Sequence, residues 1–402
     1  MLAPQVRTRT PRIDDNRGMT PLDITLLRLA NQQITDHPSK TPREVVAALG
    51  AMQAQEYRSA LWAIGLRLPG TCEADIERAV ASAAIVRTWA LRGTLHFVAS
   101  ADVRWVRELL APRIIAARAY RRRRLEIDDL TLARSRDLFA NALSHGKLLA
   151  RDEMVDLLQS AGIETTGQRG IHILSHLSLE GLLCQAAVAD KRTGGTGRRE
   201  MFALLAEWVP DARAMNREDS LAELARRYFG SHGPATLQDF VWWSGLTVAD
   251  ARVGIELAKP GLASEKNGSE KNGAAVYWVP TRSSSSSQAS APPPTGQART
   301  RAAASDAPVL CLLPGFDEYV LGYKDRGIAL DADTYQRVIP GDNGGNGVFR
   351  PTIMLDGRAI GTWRLGSKSK AATVVDLFSP LDAATSRSLT EALRRYDDFA
   401  RI

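Results

Sequence analysis

Three times along this chain, helical periodicity gives way to a pair of short runs rich in β-formers, and this recurring order constrains the fold more than any other feature. In the first instance TPLDITLLRLANQQI (20–34), TPREVVAALGAM (41–52), YRSALWAIGLRLPG (57–70) and ADIERAVASAA (74–84) space their apolar residues as helices do. Thr20 and Thr41 each precede a proline at the first helical position, the residue pair that opens a helix, and Gly50 stops the second. VRTWALRGTLHFV (86–98) then reads as a hairpin broken at Arg92-Gly93. Helices followed by a basic hairpin are the order of a winged helix-turn-helix.

The second instance runs through LARSRDLFANALSH (132–145), RDEMVDLLQSAG (151–162) and TGQRGIHILSHLSLEG (166–181) to the pair LLCQAAVAD and MFALLAEWV, joined by KRTGGTGRRE (191–200). That glycine-rich, basic connector suits a DNA-facing wing or a solvated surface loop. The third runs from DSLAELARRYFGSHG (219–233) through ATLQDFVWWSGLTVADARVGIELA (235–258) to a strand, AVYWVP (275–280). The expected fold class is therefore α+β: three tandem winged helix-turn-helix units forming a concave basic surface, with a C-terminal β-hairpin region. The expected boundaries are a flexible basic tail over 1–18, a first unit with its connecting helix over 19–130, a second over 131–212, and a third with the hairpin region over 213–402. The Ser/Ala/Pro stretch at 281–307 cannot bury a core and is expected to be disordered, as an expanded loop between the paired strands AVYWVP and VLCLLPGFDEY. FRPTIMLDGRAIGTWRL (349–365) is the clearest hairpin, turning at Asp356-Gly357, and ATSRSLTEALRRYDDFARI closes the chain as a helix.

Several chemistries drop out. The chain has no GxxxxGK[ST] and no GxSxG, and GDNGGNG (341–347) does not open a helix. His172 and His176 have metal-site spacing, but Ile173 breaks the HExxH pattern. Cys72, Cys184 and Cys311 lie far apart, as reduced thiols in a cytoplasm do, and supply no zinc or disulfide framework. No apolar run is long enough to span a membrane, and the N-terminus has no secretory apolar core. No cofactor or metal is demanded. The formal net charge of +7 points to an anionic partner, nucleic acid first, although such an excess also serves solubility alone.

What remains is Gln53-Ala54-Gln55, directly after the Gly50 stop. In an extended segment side chains alternate, so the two amides share a face while Met52 and Ala54 turn to the core. Amides both donate and accept hydrogen bonds, so the pair can position a water or a substrate, but it is no strong base. The same residues also serve as ordinary surface glutamines.

MQAQEYRSALW, VRTWALRGTLHFV, GPATLQDFVWWSGL, LLPGFDEYVLGYKDR and NGVFRPTIMLDGRAIGTWR occur in one order from about residue 20 to the C-terminus, and together they resemble the AlkZ/YcaQ-like winged-helix DNA glycosylases. The resemblance implies a basic concave scaffold for duplex DNA, excision of N-alkylated purines such as N7-alkylguanine, and in some members unhooking of interstrand crosslinks in general repair or in self-resistance to a toxin. It carries the family's Gln-hydrophobic-Gln signature onto Gln53 and Gln55 as catalytic residues. It also maps a functional cleft hairpin of the family onto 350–364. An N7-alkylguanine is already cationic and leaves without protonation, so stabilising an oxocarbenium-like sugar and placing a water would suffice. Glu56, the nearby carboxylate, faces away in the extended reading. Candidate DNA contacts are Arg87, Arg92 and His96 in the first hairpin, Arg192, Arg198 and Arg199 in the second, and Lys324, Arg326, Arg350, Arg358 and Arg364 near the C-terminus. His96 suits a packed position equally, and the Arg121–Arg124 run suits either a DNA contact or a solvated helix face. The expected partner is double-stranded DNA with alkylated bases, met by a monomer. The competing readings are a non-catalytic winged-helix DNA-binding protein or transcriptional regulator, which fold alone does not separate, and a small-molecule-binding protein with a degenerate cleft.

Overall fold

Thr20 accepts a hydrogen bond from the Asp23 amide at 3.1 Å while the Asp23 carboxylate accepts one from the Thr20 amide at 2.9 Å, a reciprocal cap that starts α1 (Pro21–Asn31). Thr41 accepts from the Glu44 amide at 3.2 Å and starts α2 (Pro42–Leu49), which ends at Gly50 in the left-handed region, φ +83°. This computed structural model describes residues 19–188, 199–267, 275–281, 308–341, 347–366 and 373–401. The expected basic tail and nearly all of the Ser/Ala/Pro stretch lie outside them.

The chain continues through β1 (Met52–Gln53), α3 (Tyr57–Arg67), α4 (Glu73–Ala81) and the hairpin β2 (Ile85–Trp89) and β3 (Leu95–Ala99). Next come α5 (Val103–Arg124), α6 (Asp129–Leu143), β4 (Leu149–Ala150), α7 (Arg151–Ser160), α8 (Arg169–Leu179), the pair β5 (Leu183–Val188) and β6 (Arg199–Leu204), and α9 (Leu205–Trp208). A third run holds α10 (Arg217–His232), α11 (Leu237–Ser244), α12 (Val248–Ala258), β7 (Leu262–Asn267) and β8 (Ala275–Pro280). The last part holds β9 (Leu310–Leu313), α13 (Glu318–Leu321), α14 (Ala332–Val338), β10 (Thr352–Leu355), β11 (Arg358–Arg364), β12 (Val374–Leu377) and α15 (Ala383–Ala400).

The first two hairpins lie edge to edge. They join through an Arg87↔Gln185 pairing into a single antiparallel sheet of order β1-β3-β2-β5-β6-β4. β7 and β8 pair with each other, and β9 to β12 form a four-stranded sheet of order β12-β11-β10-β9. This corrects the expectation for the insert: AVYWVP and VLCLLPG belong to different sheets, so the chain between them connects sheets instead of two paired strands. β8 has its complement in β7, a few residues upstream, and closing that short loop costs less entropy than pairing across the longer insert.

The cores also reach across the chain. Val45, Leu49, Leu61 and Ile64 pack in one cluster with Leu312, Ile353, Trp363 and Phe399, so the first helices share a core with the C-terminal sheet and α15. A second cluster joins Val86, Val98 and Trp105 to Tyr228, Phe240 and Trp243 of α10 and α11. A third gathers α6, α7 and α8 around Phe139, Leu158 and Leu174. Among the described residues no helix is long and apolar enough to cross a membrane. The four arginines 121–124 end α5, where cations offset the helix dipole; Arg121 donates to Gln168 at 2.9 Å and Arg122 pairs with Asp129 at 2.6 Å.

Candidate active site

The Gln-Ala-Gln segment leaves α2 at Gly50 and lies along the end of β3, with Met52 opposite Phe97, Gln53 opposite His96, and the Ala54 amide donating to Leu95 O at 2.8 Å. Met52, Gln53 and Ala54 are all buried, Gln53 at 9% exposure, and of the four residues 52–55 Gln55 alone lies open to solvent, so the expected alternation with both amides on one open face is not seen. The Gln53 Oε1 accepts from the Gln55 amide at 2.6 Å, which fixes the orientation of the side-chain amide and leaves its NH2 end without a partner among the described residues. The Gln55 Oε1 lies 3.4 Å from the Leu95 amide. Glu56 is exposed and makes no cap bond to α3.

Arg87 holds this segment from behind. Its Nε donates to Ala54 O at 2.9 Å and its Nη2 to Gln55 O at 3.3 Å, while Nη1 donates to Gln185 Oε1 at 2.6 Å and Glu200 Oε1 at 2.9 Å. With 4% exposure and its donors taken, Arg87 is a lock between the two fused hairpins and not a phosphate contact. The same correction applies to His96, which is fully buried. A carbonyl can only accept, so the 2.9 Å contact with Thr94 O places the proton on Nδ1 and leaves Nε2 bare. Burial, helped by the nearby Arg92 cation, pushes its pKa down to about 4, so the ring is neutral at pH 7. Arg326 is likewise buried: Nε donates to Val320 O at 3.0 Å, and the guanidinium lies over Phe349 and Trp242.

Arg92 is half-buried. Its left-handed φ of 54° turns the side chain beneath α11, where Nη1 donates to the Trp243 carbonyl and Nη2 has no partner among the described residues. Lys324, Arg350, Arg358 and Arg364 are exposed, as a phosphate contact requires. Arg192, Arg198 and the Arg199 side chain lie outside the described residues. The hairpin expected to enter a cleft, 350–364, has its turn packed instead: Thr25 donates to Asp356 O at 2.8 Å and Tyr319 to Gly357 O at 3.0 Å, and its strands are covered on both edges by β9 and β12.

A group that spacing did not single out completes the site. Glu318, 1% exposed at the start of α13, accepts from the Gln53 amide at 2.8 Å through Oε1 and from the Trp243 indole at 2.9 Å through Oε2, with His232 Nε2 at 3.6 Å. Burial opposes its charge, but the contact with His232 and the nearby Arg92 outweigh it and hold the pKa at about 2. The preceding residue, Asp317, is gripped by both Nη1 and Nη2 of the fully buried Arg67 at 2.8 and 2.9 Å, which anchors the start of α13. Glu318 sits inside the LLPGFDEY motif, but no periodicity could pair it with a strand 265 residues upstream.

The family model for AlkZ-like DNA glycosylases matches residues 46–399, and the chain belongs to that family, whose members hydrolyse N-glycosyl bonds. It is 23% identical, over 358 residues covering 86% of this chain and 88% of the relative, to an interstrand DNA cross-link repair glycosylase of Streptomyces sahachiroi. Its fold is similar to the solved structure of the Streptomyces sahachiroi DNA glycosylase AlkZ, with a TM-score of 0.72 at 21% identity, covering 96% of this chain and 99% of that one. Family membership favours the enzyme over the regulator among the competing readings.

Proposed function

We propose that this glycosylase excises cationic N7-alkylated purines from double-stranded DNA, with Gln53 and Gln55 as the catalytic residues. Water attacks C1′, the N-glycosidic bond breaks, its electron pair neutralises the cationic base as it leaves, and the attacking water gives up its extra proton to solvent. The observation that carries this reading is the pair of amides on one strand end with no carboxylate bonded to either side-chain amide among the described residues: Glu56 is exposed, Glu318 spends its oxygens on the Gln53 backbone amide and the Trp243 indole, and Glu200 is paired with Arg87. Such a site can orient a water and meet the developing positive charge of the sugar with amide dipoles, but it cannot protonate a neutral leaving group. Three helix-then-hairpin runs, read as winged-helix units, support DNA as the scaffold's ligand. Lys324, Arg350, Arg358 and Arg364 are its phosphate contacts, with the arginines of the second wing joining them. A guanine crosslinked through N7 is the same kind of cationic leaving group, and the crosslink-repair relative makes unhooking the natural extension. The test compares base release from duplexes carrying N7-methylguanine, an N7-linked crosslink, or a neutral adduct such as O6-methylguanine. Release is expected from the first two and not from the third. Release of the neutral adduct at a similar rate would require an acid that this site lacks and would overturn the reading.

A further inference from the structure

Several charged side chains are buried among the described residues, Arg28, Glu73, Asp102 and Asp239 with them, and most are paired or hydrogen-bonded within the fold. Arg67 and Asp317 neutralise each other, and Arg227 is paired with Asp102 at 2.6 Å and Glu223 at 2.7 Å. Glu318 differs because one of its two oxygens is spent on the backbone of the glutamine motif itself. Resting on the catalytic reading of Gln53, we propose that Glu318 is a positioning residue of the glycosylase: by gripping the Gln53 amide and the Trp243 indole at once, it fixes the Gln-Ala-Gln strand end against α11 and so sets the direction of the Gln53 side chain.

Three features support this. First, β1 is only two residues long and has β3 as its one neighbour in the sheet, so the ladder alone holds it weakly. Its other restraints are Arg87, on the carbonyls of Ala54 and Gln55, and Glu318, on the amide of Gln53. The motif is thus clamped by a cation on its acceptors and an anion on its donor. Second, the grip is charge-assisted and dry: Glu318 is covered by protein and its carboxyl is held well below the ordinary range, and a hydrogen bond to a charged group in low dielectric is shorter and stronger than a neutral one. Third, Glu318 is anchored through its neighbour. Asp317 beside it is held by two bonds from Arg67 of α3, the helix that follows the motif. A carboxylate tethered in this way transmits the position of three elements, α3, α11 and α13, to the strand end. Displacement of a reacting group by about an ångström can cost about a hundredfold in rate, so a grip of this kind matters to turnover more than to affinity. Glu318 is covered by protein, so its route to the chemistry runs through Gln53.

The test uses the full chain and two variants, Glu318→Gln and Trp243→Phe. Glu318→Gln keeps the shape but removes the charge and opposes an NH2 group to the indole N–H. Hydrogen exchange at the Gln53 amide, single-turnover release of N7-methylguanine, and affinity for the same duplex are measured together. Glu318→Gln is expected to speed Gln53 exchange and slow base release by about tenfold or more, with DNA affinity within about twofold of wild type. Trp243→Phe, which leaves the carboxylate and removes one donor, is expected to move exchange and rate in the same direction by about threefold. A wild-type rate in Glu318→Gln, or a loss of rate matched by an equal loss of affinity, would overturn the proposal. Should Glu318→Gln not fold, unchanged Gln53 exchange and rate in Trp243→Phe would do the same. If the wild type releases no base at all, the catalytic reading of the glutamines fails, while Gln53 exchange in the variants still decides whether Glu318 grips the strand.

Discussion

The first hairpin, β2 and β3, and the C-terminal hairpin, β10 and β11, both carry arginines beside a tight turn, and they use them in opposite ways. Arg87 and Arg92 turn inward, one onto the glutamine strand and the fused sheet, the other under α11. Arg358 and Arg364 turn outward from a sheet whose other face is packed core, where Trp363 donates to Leu313 O at 2.8 Å. The difference teaches that a basic hairpin is not by itself a DNA-binding wing. A guanidinium with its donors taken by carbonyls builds the site, and one left in water can meet a phosphate.

The comparison breaks first on stability. Arg67→Met leaves Asp317 buried and unpaired and should cost about 3–5 kcal/mol, read by urea denaturation. Arg87→Met should cost about 2–3 kcal/mol, less because Glu200 is partly exposed and keeps Arg151 at 3.7 Å as a second cation. An Arg87→Met protein as stable as wild type, with weakened salt-dependent DNA binding, would return Arg87 to the DNA surface. The double variant Arg358→Ala/Arg364→Ala should show the reverse: stability within about 0.5 kcal/mol of wild type and a salt dependence of DNA binding shallower by about two units of slope. Loss of stability without a change in slope would make these arginines structural too.

The smallest effect is in pH. His37, His96, His172 and His232 all have pKa values held below the ordinary 6.5 by burial, and that of His96 falls to about 4. Below pH 6.5 the unfolded chain therefore takes up protons before the native chain does, and stability should fall as pH drops from about 6.5 towards 4. Glu318 acts in the same direction lower down: its native value of about 2 against an ordinary 4.5 gives stability that is present above 4.5 and lost as pH falls towards 2. Denaturation at pH 7, 5.5 and 4.5 checks the first window, and His96→Gln should flatten it.

Much of the fold could be read locally. The caps at Thr20 and Thr41, the Gly50 stop, and the hairpins turning at Arg92-Gly93 and Asp356-Gly357 all depend on residues within a few positions of one another. The extended Gln-Ala-Gln segment followed from Gly50 in the same way. What escaped was partner choice. Nothing near Arg87 says that its guanidinium will find Gln185 and Glu200, and nothing near AVYWVP says that it will pair upstream. Glu318 reads as one more acid at a helix start until the fold brings it to Gln53. A charge in a sequence fixes a chemistry but not a direction, and direction separates the locks of this site from its surface.

Whether Gln53 and Gln55 perform the hydrolysis is decided by base release from a duplex carrying one N7-methylguanine, with wild type set beside Gln53→Ala and Gln55→Ala and DNA affinity measured alongside. Wild type is expected to release the base, and each variant to lose about a hundredfold or more in rate with affinity unchanged. Wild-type release rates in both variants would contradict it and leave the glutamines as structural residues of a glycosylase whose catalytic groups lie elsewhere.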